Sequence, residues 1–132
     1  MTENTGKKDS LVAYRLENAK EKLKSAIALL EDSDYKDSVS RSYYAIFSAA
    51  RALLATKQID SAKHSGVIAL FNQHFVKTGV IPKETGKLIS KAKLYREQAD
   101  YGDFIVVTRE EAETQIKLAK DFIEEIERAL NQ

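Results

Sequence analysis

Apolar residues recur along this chain at the spacing of one helix face, and residues 38–54 show the pattern most clearly. At 3.6 residues per turn, one side of this segment carries only apolar and aromatic side chains: Val39, Tyr43, Ile46, Phe47, Ala50, Leu53 and Leu54. That spacing is typical of a helix that packs one side into a core. We therefore expect the domain to be organised around this helix.

The same spacing predicts four more helices, at about residues 9–31, 65–77, 82–100 and 108–130. Residues suited to helix ends stand at these boundaries: Asp9 or Ser10, the turn of Asp32, Ser33 and Asp34, Gly79, Pro82, Gly102, and the capping box of Thr108 and Glu111. Short connectors favour antiparallel neighbours. The sequence thus predicts an all-α, up-and-down bundle of about five helices.

The first residues of the chain lack this periodicity. Residues 1–8 are polar and include a glycine, so we expect a flexible N-terminal tail. Residues 9–132 are expected to form a single helical domain, which is a common size for one domain. The apolar segment 104–107 is expected to bridge the last two helices.

Composition excludes several classes of protein. The 132 residues contain no cysteine, which excludes a disulfide framework and a thiolate zinc site. The net charge of +1 gives no support to nucleic-acid binding through overall charge, so any such contact must use a local patch. There is no apolar run long enough for a membrane span and no signal peptide pattern. We expect a cytoplasmic protein without membrane contact.

A polar stripe lies on the second helix, beside its apolar face. It consists of Asp37, Arg41, Tyr44, Ser48 and Arg51. Arginine and tyrosine are suited to holding an anionic or planar ligand, which makes Arg41, Tyr44 and Arg51 candidate binding residues. The alternative is a surface ion pair between Asp37 and Arg41, with Tyr44 covering a neighbouring helix.

Arg96 is the most informative residue of the fourth helix, because it falls on the apolar side between Ile89 and Ala92. A charge at such a position must be paired or face a cleft. Asp100 stands one turn later and can pair with Arg96, and Tyr101 follows directly. The three residues therefore form either a structural ion pair at the end of the bundle or part of a ligand site.

The two histidines give no evidence for a metal site. His64 shares a face with Val67, Ile68 and Phe71, so we expect it to cap its helix or fill a gap in the core through one hydrogen bond. His74 points away from that face, and we expect it at the surface. Histidine and acidic residues do not recur at metal-ligand spacing. The sequence predicts no metal and no cofactor.

Four segments in this order are similar to the HEPN domain (higher eukaryotes and prokaryotes nucleotide-binding), and most similar to its small stand-alone prokaryotic members. They are SRSYYAIFSAARALL, KHSGVIALFNQHFVKTGVIP, YREQADYGDF and a terminal amphipathic helix. The resemblance covers residues 10–130. It implies a two-fold dimer in which the ends of both fourth helices meet in one cleft.

The resemblance also implies a function. Many family members are RNA-cutting toxins paired with a minimal nucleotidyltransferase antitoxin, and their signature is an arginine followed, four to six residues later, by a histidine. Arg96 matches the arginine, but Tyr101 stands where the histidine would be, and no histidine follows His74. Histidine titrates near neutral pH and can move a proton, whereas tyrosine titrates near about 10 and is a poor general base.

These features lead to one main expectation and two alternatives. The main expectation is a dimeric protein that binds nucleotide or RNA in its cleft and partners a minimal nucleotidyltransferase, with Tyr101 as a possible acceptor of AMP. One alternative is a metal-independent endoribonuclease toxin that uses Arg96 with Asp100 or Tyr101. The other is a non-catalytic helical adaptor, so the sequence leaves open whether the protein is an enzyme.

Overall fold

The computed structural model describes residues 3–102 and 106–131 of the chain. Within this part there are five α-helices and no strand, as the sequence predicted. The α-helices are α1 (Glu3–Glu31), α2 (Tyr35–Ala55), α3 (His64–Phe71), α4 (Lys83–Tyr101) and α5 (Arg109–Leu130). A π-helical segment, Asn72–Val76, continues α3.

Helix α2 is the centre of the bundle and contacts α1, α3, α4 and α5. Every residue predicted on its apolar face is buried. A second buried face of α2, formed by Ser38, Ala45, Ala49 and Ala52, packs against α1, where the Ser38 hydroxyl donates to the backbone oxygen of Ala26 at 2.8 Å. Short alanine side chains let the two helix axes approach closely.

Local capping signals position several helix ends. The Thr108 side chain accepts a hydrogen bond from the Glu111 backbone N–H, and the Glu111 carboxylate accepts one from the Thr108 backbone N–H, so the predicted capping box is confirmed. Gly79 has a φ of +83°, which is the left-handed conformation expected after a helix. Gly102 follows α4 as its C-cap, also as predicted.

The structure differs from the sequence prediction at the start of α1. This helix begins at Glu3, before the predicted caps Asp9 and Ser10. Extending an existing helix by one residue is much easier than nucleating one, so a polar segment without apolar periodicity can continue the amphipathic helix that follows it. Ile27 of α1 is 40% exposed although it is apolar.

Two further local features differ in detail from the prediction. Asp34 is the N-cap of α2, at the boundary that the sequence predicted, but its side chain makes no capping hydrogen bond. The third helix, predicted as regular over 65–77, changes to π-helical geometry at Asn72. The predicted bridge 104–107 falls partly outside the described residues; of its described part, Val107 is buried and Val106 is 81% exposed.

A close helix contact positions α4, which carries Arg96. At Gly86 of α4, an added Cβ would lie 2.7 Å from the Cγ2 atom of Val76 and 3.2 Å from the Asn72 side-chain oxygen. The missing side chain at Gly86 therefore allows α4 to lie directly against the π-helical segment. Ile89, one turn later, is fully buried in the main core with Phe71 and Phe122.

Two features are absent from the described residues. No helix among them has the length and apolar content required to cross a membrane. No group of three or more histidine, aspartate or glutamate side chains in the same residues lies close enough together to hold a metal ion.

Candidate functional site

Arg96 lies at the edge of the bundle, against two consecutive tyrosines of α2. Its side chain is only 17% exposed. The central carbon of the guanidinium, Cζ, lies 5.1 Å from the centre of the Tyr44 ring and 5.5 Å from that of Tyr43. At these distances the negative faces of aromatic rings attract a cation. The two rings therefore compensate for part of the lost hydration of Arg96 and restrict its movement.

Asp100 forms an ion pair with Arg96, as the spacing on α4 predicted. The Asp100 Oδ2 atom lies 3.0 Å from the Arg96 Nε atom. The N–H bond is not aligned with that oxygen, so the buried Nε atom has no hydrogen-bond acceptor among the described residues. The pair is therefore held by charge without an aligned hydrogen bond.

His64, the first residue of α3, completes this group of side chains. Its Nδ1 atom lies 2.9 Å from the Tyr43 hydroxyl oxygen, so the single hydrogen bond predicted for His64 is present. The imidazole ring packs against Phe47, with ring centres 4.2 Å apart. It also meets Tyr44 nearly edge-on, at 6.0 Å. Arg96 and His64 thus contact the same two tyrosines.

The surroundings keep both polar members of this hydrogen bond uncharged. Burial lowers the pKa of His64, and the nearby charges of Arg96, Lys93 and Arg51 lower it further, while Glu97 opposes them. Burial raises the pKa of Tyr43 to about 12, although the charge of Arg96 acts in the opposite direction. Near neutral pH, therefore, a neutral phenol faces a neutral imidazole.

Tyr101 differs from these residues because its side chain is largely exposed to solvent. It is the last residue of α4 and is 75% exposed. The sequence placed Arg96, Asp100 and Tyr101 together at one helix end, and the structure pairs Arg96 with Asp100 but leaves the Tyr101 ring largely in solvent. Tyr101 is therefore accessible to a second protein.

The polar stripe of α2 divides into two parts. Tyr44 is half-buried against Arg96, and Arg41, one turn before it, is exposed. The ion pair that the spacing allowed between Asp37 and Arg41 is not formed in the described structure. Arg41 is thus available to contact a ligand near Tyr44.

Arg51, at the other end of this stripe, is held by an acidic partner. Its Nη2 atom lies 2.6 Å from Asp60 Oδ2, and its Nε atom donates to Asp60 Oδ1 at 3.2 Å. Arg15 of α1 donates to the same carboxylate at 2.9 Å. Burial by itself raises the pKa of Asp60, but hydrogen bonds from Arg51 and the Ser61 backbone, with the charges of Arg51 and Arg15, bring it below its usual value. This cluster joins α1, α2 and the connector before α3.

With this geometry established, comparison with known proteins assigns the chain to a family. The HEPN domain matches residues 12–129. The chain belongs to the HEPN domain family. The predicted resemblance is therefore confirmed over nearly the whole of this HEPN protein.

Individual relatives agree with this assignment. The HEPN protein is 37% identical to a UPF0332 protein of Thermotoga maritima over 123 residues, which cover 93% of each chain. It is 43% identical over 117 residues to a Methanocaldococcus jannaschii protein named "Putative toxin", covering 89% of this chain and 87% of that one. The crystal structure of TT1696 from Thermus thermophilus matches with a TM-score of 0.76 at 20% identity, covering 89% of this chain and 97% of that chain. At that identity the structural match shows the fold alone.

Sequence reasoning identified Arg96 and Tyr44 but did not join them to His64 and Tyr43. Tyr43 falls on the apolar face of α2, where a tyrosine normally fills the core. His64 lies on a different helix from both Tyr43 and Arg96, and only the packing of α3 against α2 brings the imidazole to them. A signal was available, because a buried tyrosine hydroxyl needs a hydrogen-bond partner, but the sequence does not say which residue provides it.

Proposed function

We propose that this HEPN protein binds a phosphate group of nucleotide or RNA through Arg96, in a cleft shared by two copies of the chain. We further propose that it partners a minimal nucleotidyltransferase in a toxin–antitoxin-type pair. The observation that carries the proposal is the position of the Arg96 guanidinium, which lies against two tyrosine rings and beside Asp100 while its side chain stays 17% exposed.

The surroundings of Arg96 suit phosphate binding better than a purely structural role. The planar donors of a guanidinium match phosphate oxygens bidentately. Rings that already hold the side chain reduce the entropy lost when a ligand binds. Asp100 lies against the Nε atom, and the two terminal nitrogens of the guanidinium make no hydrogen bond among the described residues, so they can meet a phosphate.

Family membership supports the shared cleft and the partner. A two-fold dimer of the kind that the family resemblance implies would bring two copies of Arg96 together, and the repulsion between them would be relieved by an anion. Arg41 and Tyr44 would flank the ligand from α2, and Arg51 would contribute mainly through its charge because Asp60 already holds its donors. The relative named as a toxin supports a role in a toxin–antitoxin pair.

The first prediction tests Arg96 directly. Arg96→Ala should weaken binding of a short fluorescein-labelled single-stranded RNA, or of ATP, by about tenfold or more, because a charge-assisted bidentate contact is lost. Fluorescence anisotropy measures the RNA, and calorimetry measures ATP. Arg109→Ala is the matched control, since Arg109 is an exposed arginine whose side chain contacts Glu113 and Tyr35 and lies on a different helix from Arg96. Unchanged binding in Arg96→Ala would refute the proposed site.

The second prediction concerns Tyr101 as an acceptor of AMP. The hydroxyl oxygen of Tyr101 would attack the α-phosphorus of ATP, forming a phosphodiester, losing its proton and releasing pyrophosphate. Incubation with the partner nucleotidyltransferase and ATP should then add the mass of AMP to the intact protein. Tyr101→Phe should abolish the addition, whereas Tyr14→Phe, which removes another exposed tyrosine, should not. Equal labelling of both variants would exclude Tyr101 as the acceptor of AMP.

An endoribonuclease is the second candidate function, and His64 is the observation that favours it. The site contains an imidazole beside Arg96, so a group able to carry a proton is present although Tyr101 occupies the motif position. Incubation of the purified protein with RNA, followed by gel electrophoresis, separates the two functions. Cleavage that is lost in both Arg96→Ala and His64→Ala would establish the enzyme, and intact RNA with retained binding would favour the binding protein.

A further inference from the structure

We infer that His64 is a second ligand-binding residue of the Arg96 site, where its Nε2–H donates a hydrogen bond to an oxygen of the phosphate that Arg96 holds. The inference rests on the proposed function, because it names a further contact to the same ligand. It follows from three features of the structure: the partner of Nδ1, the freedom of Nε2, and the tyrosines that His64 shares with Arg96.

The Tyr43 hydroxyl determines which nitrogen of His64 carries the proton. Tyr43 is 1% exposed, and its hydroxyl group has one proton to donate. In the described structure its hydrogen-bond partner is Nδ1 of His64, at 2.9 Å. A buried hydroxyl that donated to nothing would cost free energy. We therefore assign the Tyr43 hydroxyl as donor and Nδ1 as acceptor, which places the ring proton of the neutral imidazole on Nε2.

The Nε2–H of His64 is free to meet a ligand. His64 makes its one side-chain hydrogen bond in the described structure through Nδ1. Nε2 makes no hydrogen bond in the described structure and is not fully buried. Phe47 packs against the ring at 4.2 Å, and Tyr43 holds the Nδ1 edge, so these two contacts fix the ring without using Nε2.

The same aromatic pair supports both His64 and Arg96, and the charge of Arg96 acts on His64. The His64 ring centre lies 5.8 Å from that of Tyr43 and 6.0 Å from that of Tyr44. The Arg96 guanidinium lies 5.5 Å and 5.1 Å from the same two centres. A phosphate has enough acceptor oxygens to take donors from both side chains.

A neutral donor suits this place better than a charged one. Lys93, Arg51 and Arg96 all disfavour a positive charge on His64, and only Glu97 favours it. His64 also begins α3, where the helix dipole opposes a cation. The imidazole can therefore donate to the phosphate without adding a charge that would repel Arg96, and neutral histidines elsewhere act as donors in this way.

The assignment can be tested with two substitutions of His64, each of which keeps one half of the imidazole. The side-chain amide of His64→Gln reaches the position of Nε2, so this variant should bind the labelled RNA, or ATP, within about threefold of wild type. His64→Asn can keep the contact with Tyr43 but has no donor at the position of Nε2, and its binding should fall about tenfold or more. A role confined to supporting Tyr43 would give the opposite order and would overturn the inference.

The outcomes also separate this inference from the proposed function. If the wild-type protein binds RNA or ATP and Arg96→Ala does not, while His64→Asn binds like wild type, the proposed function stands and the inference fails. If wild type binds neither RNA nor ATP, both fail. The RNA and ATP arms identify which source supplies the phosphate.

The wild-type protein provides a test that does not depend on how variants fold. Protein labelled with ¹⁵N at histidine has two imidazoles, and His74→Asn assigns the signal of His64. Near neutral pH, the nitrogen shifts of His64 should be those of a neutral ring with its proton on Nε2, and the Nε2 signal should move when RNA is added. A proton on Nδ1, or an Nε2 signal that RNA leaves unchanged, would overturn the inference.

Discussion

Single residues at the Arg96 site combine one fixed cation with two neutral polar groups. Arg96 supplies the charge, while Tyr43 and His64 supply a hydrogen-bonded pair that stays uncharged near neutral pH. In the proposed site, Arg96 would attract the anion by its charge, and His64 would orient it through a directed hydrogen-bond donor.

The third prediction concerns the pH dependence of stability. The pKa of His64 is lower in the folded protein than its usual value of about 6.5. Between the folded and the usual value, the unfolded chain binds more protons, so His64 contributes stability that is fully present above about pH 6.5 and is lost as the pH falls through the folded value. His64→Gln should remove this loss.

Urea unfolding at a series of pH values measures the effect. From about pH 7 to about pH 5, the free energy of unfolding of wild type should fall more than that of His64→Gln, since acidic residues titrate alike in both. Arg96, Lys93, Arg51 and Glu97 face His64 in both proteins, so their contributions change only through the imidazole. Parallel curves would contradict the prediction.

At this scale the sequence indicates some residues of the site but cannot assemble them. Arg96 stands out because a charge on an apolar helix face requires an explanation, and Asp100 follows from helical spacing. Tyr43 and His64 each look like ordinary core residues. Their juxtaposition depends on the angle at which α3 crosses α2, which no local pattern contains.

Helix ends in this protein are determined largely by short sequence signals. The fourth prediction is that Thr108→Ala destabilises the protein by about 1 kcal/mol, because the capping box of α5 loses its hydroxyl acceptor. Thr114→Ala is the control, since Thr114 lies within α5 and its hydroxyl bonds only to the backbone oxygen of Glu110 in the described structure. Equal changes in the two variants, measured by urea unfolding, would refute a capping role.

The Glu111 side chain connects the start of α5 to α4. Its carboxylate accepts hydrogen bonds from Thr108 and from the hydroxyl of Tyr95 on α4. The bond from Tyr95 contributes most to lowering the pKa of Glu111, followed by the backbone and side chain of Thr108. The start of α5 is thereby tied to the helix that carries Arg96.

The sequence predicts such elements well where the cause is local. The capping box at Thr108 and the left-handed Gly79 depend on a few adjacent residues, and both are present as predicted. The start of α1 at Glu3 depends on helix propagation from the residues that follow it. The π-helical geometry from Asn72 coincides with a close contact to α4, which the sequence of the segment does not indicate.

The whole molecule is organised by α2 and is tied together at one side by Asp60. The all-helical fold could be predicted because apolar periodicity recurs in every helix. The ion cluster of Arg15, Arg51 and Asp60 could not, because it joins residues from α1, α2 and a connector that share no spacing rule.

The fifth prediction tests this cluster. Asp60→Asn should lower the free energy of unfolding by about 1 kcal/mol, a modest value because the carboxylate is 40% exposed and solvent screens its charge. Asp121→Asn, which removes an exposed acid paired with Lys117, should have a smaller effect. Urea unfolding measures both, and RNA binding at Arg96 should persist in each. A loss of binding in Asp60→Asn alone would extend the site to this side of the molecule.

The close contact at Gly86 means that the size of this residue affects the position of Arg96, further along α4. Gly86 precedes Arg96 by nearly three helical turns, or about 15 Å along α4. A larger side chain at this position would push α4 away from Val76. Because the helix is stiff, its far end would tilt, and the Arg96 guanidinium would move away from Tyr43 and Tyr44. The proposed ligand site can therefore be altered, in the laboratory or by natural drift, through a position nearly three helical turns away from Arg96.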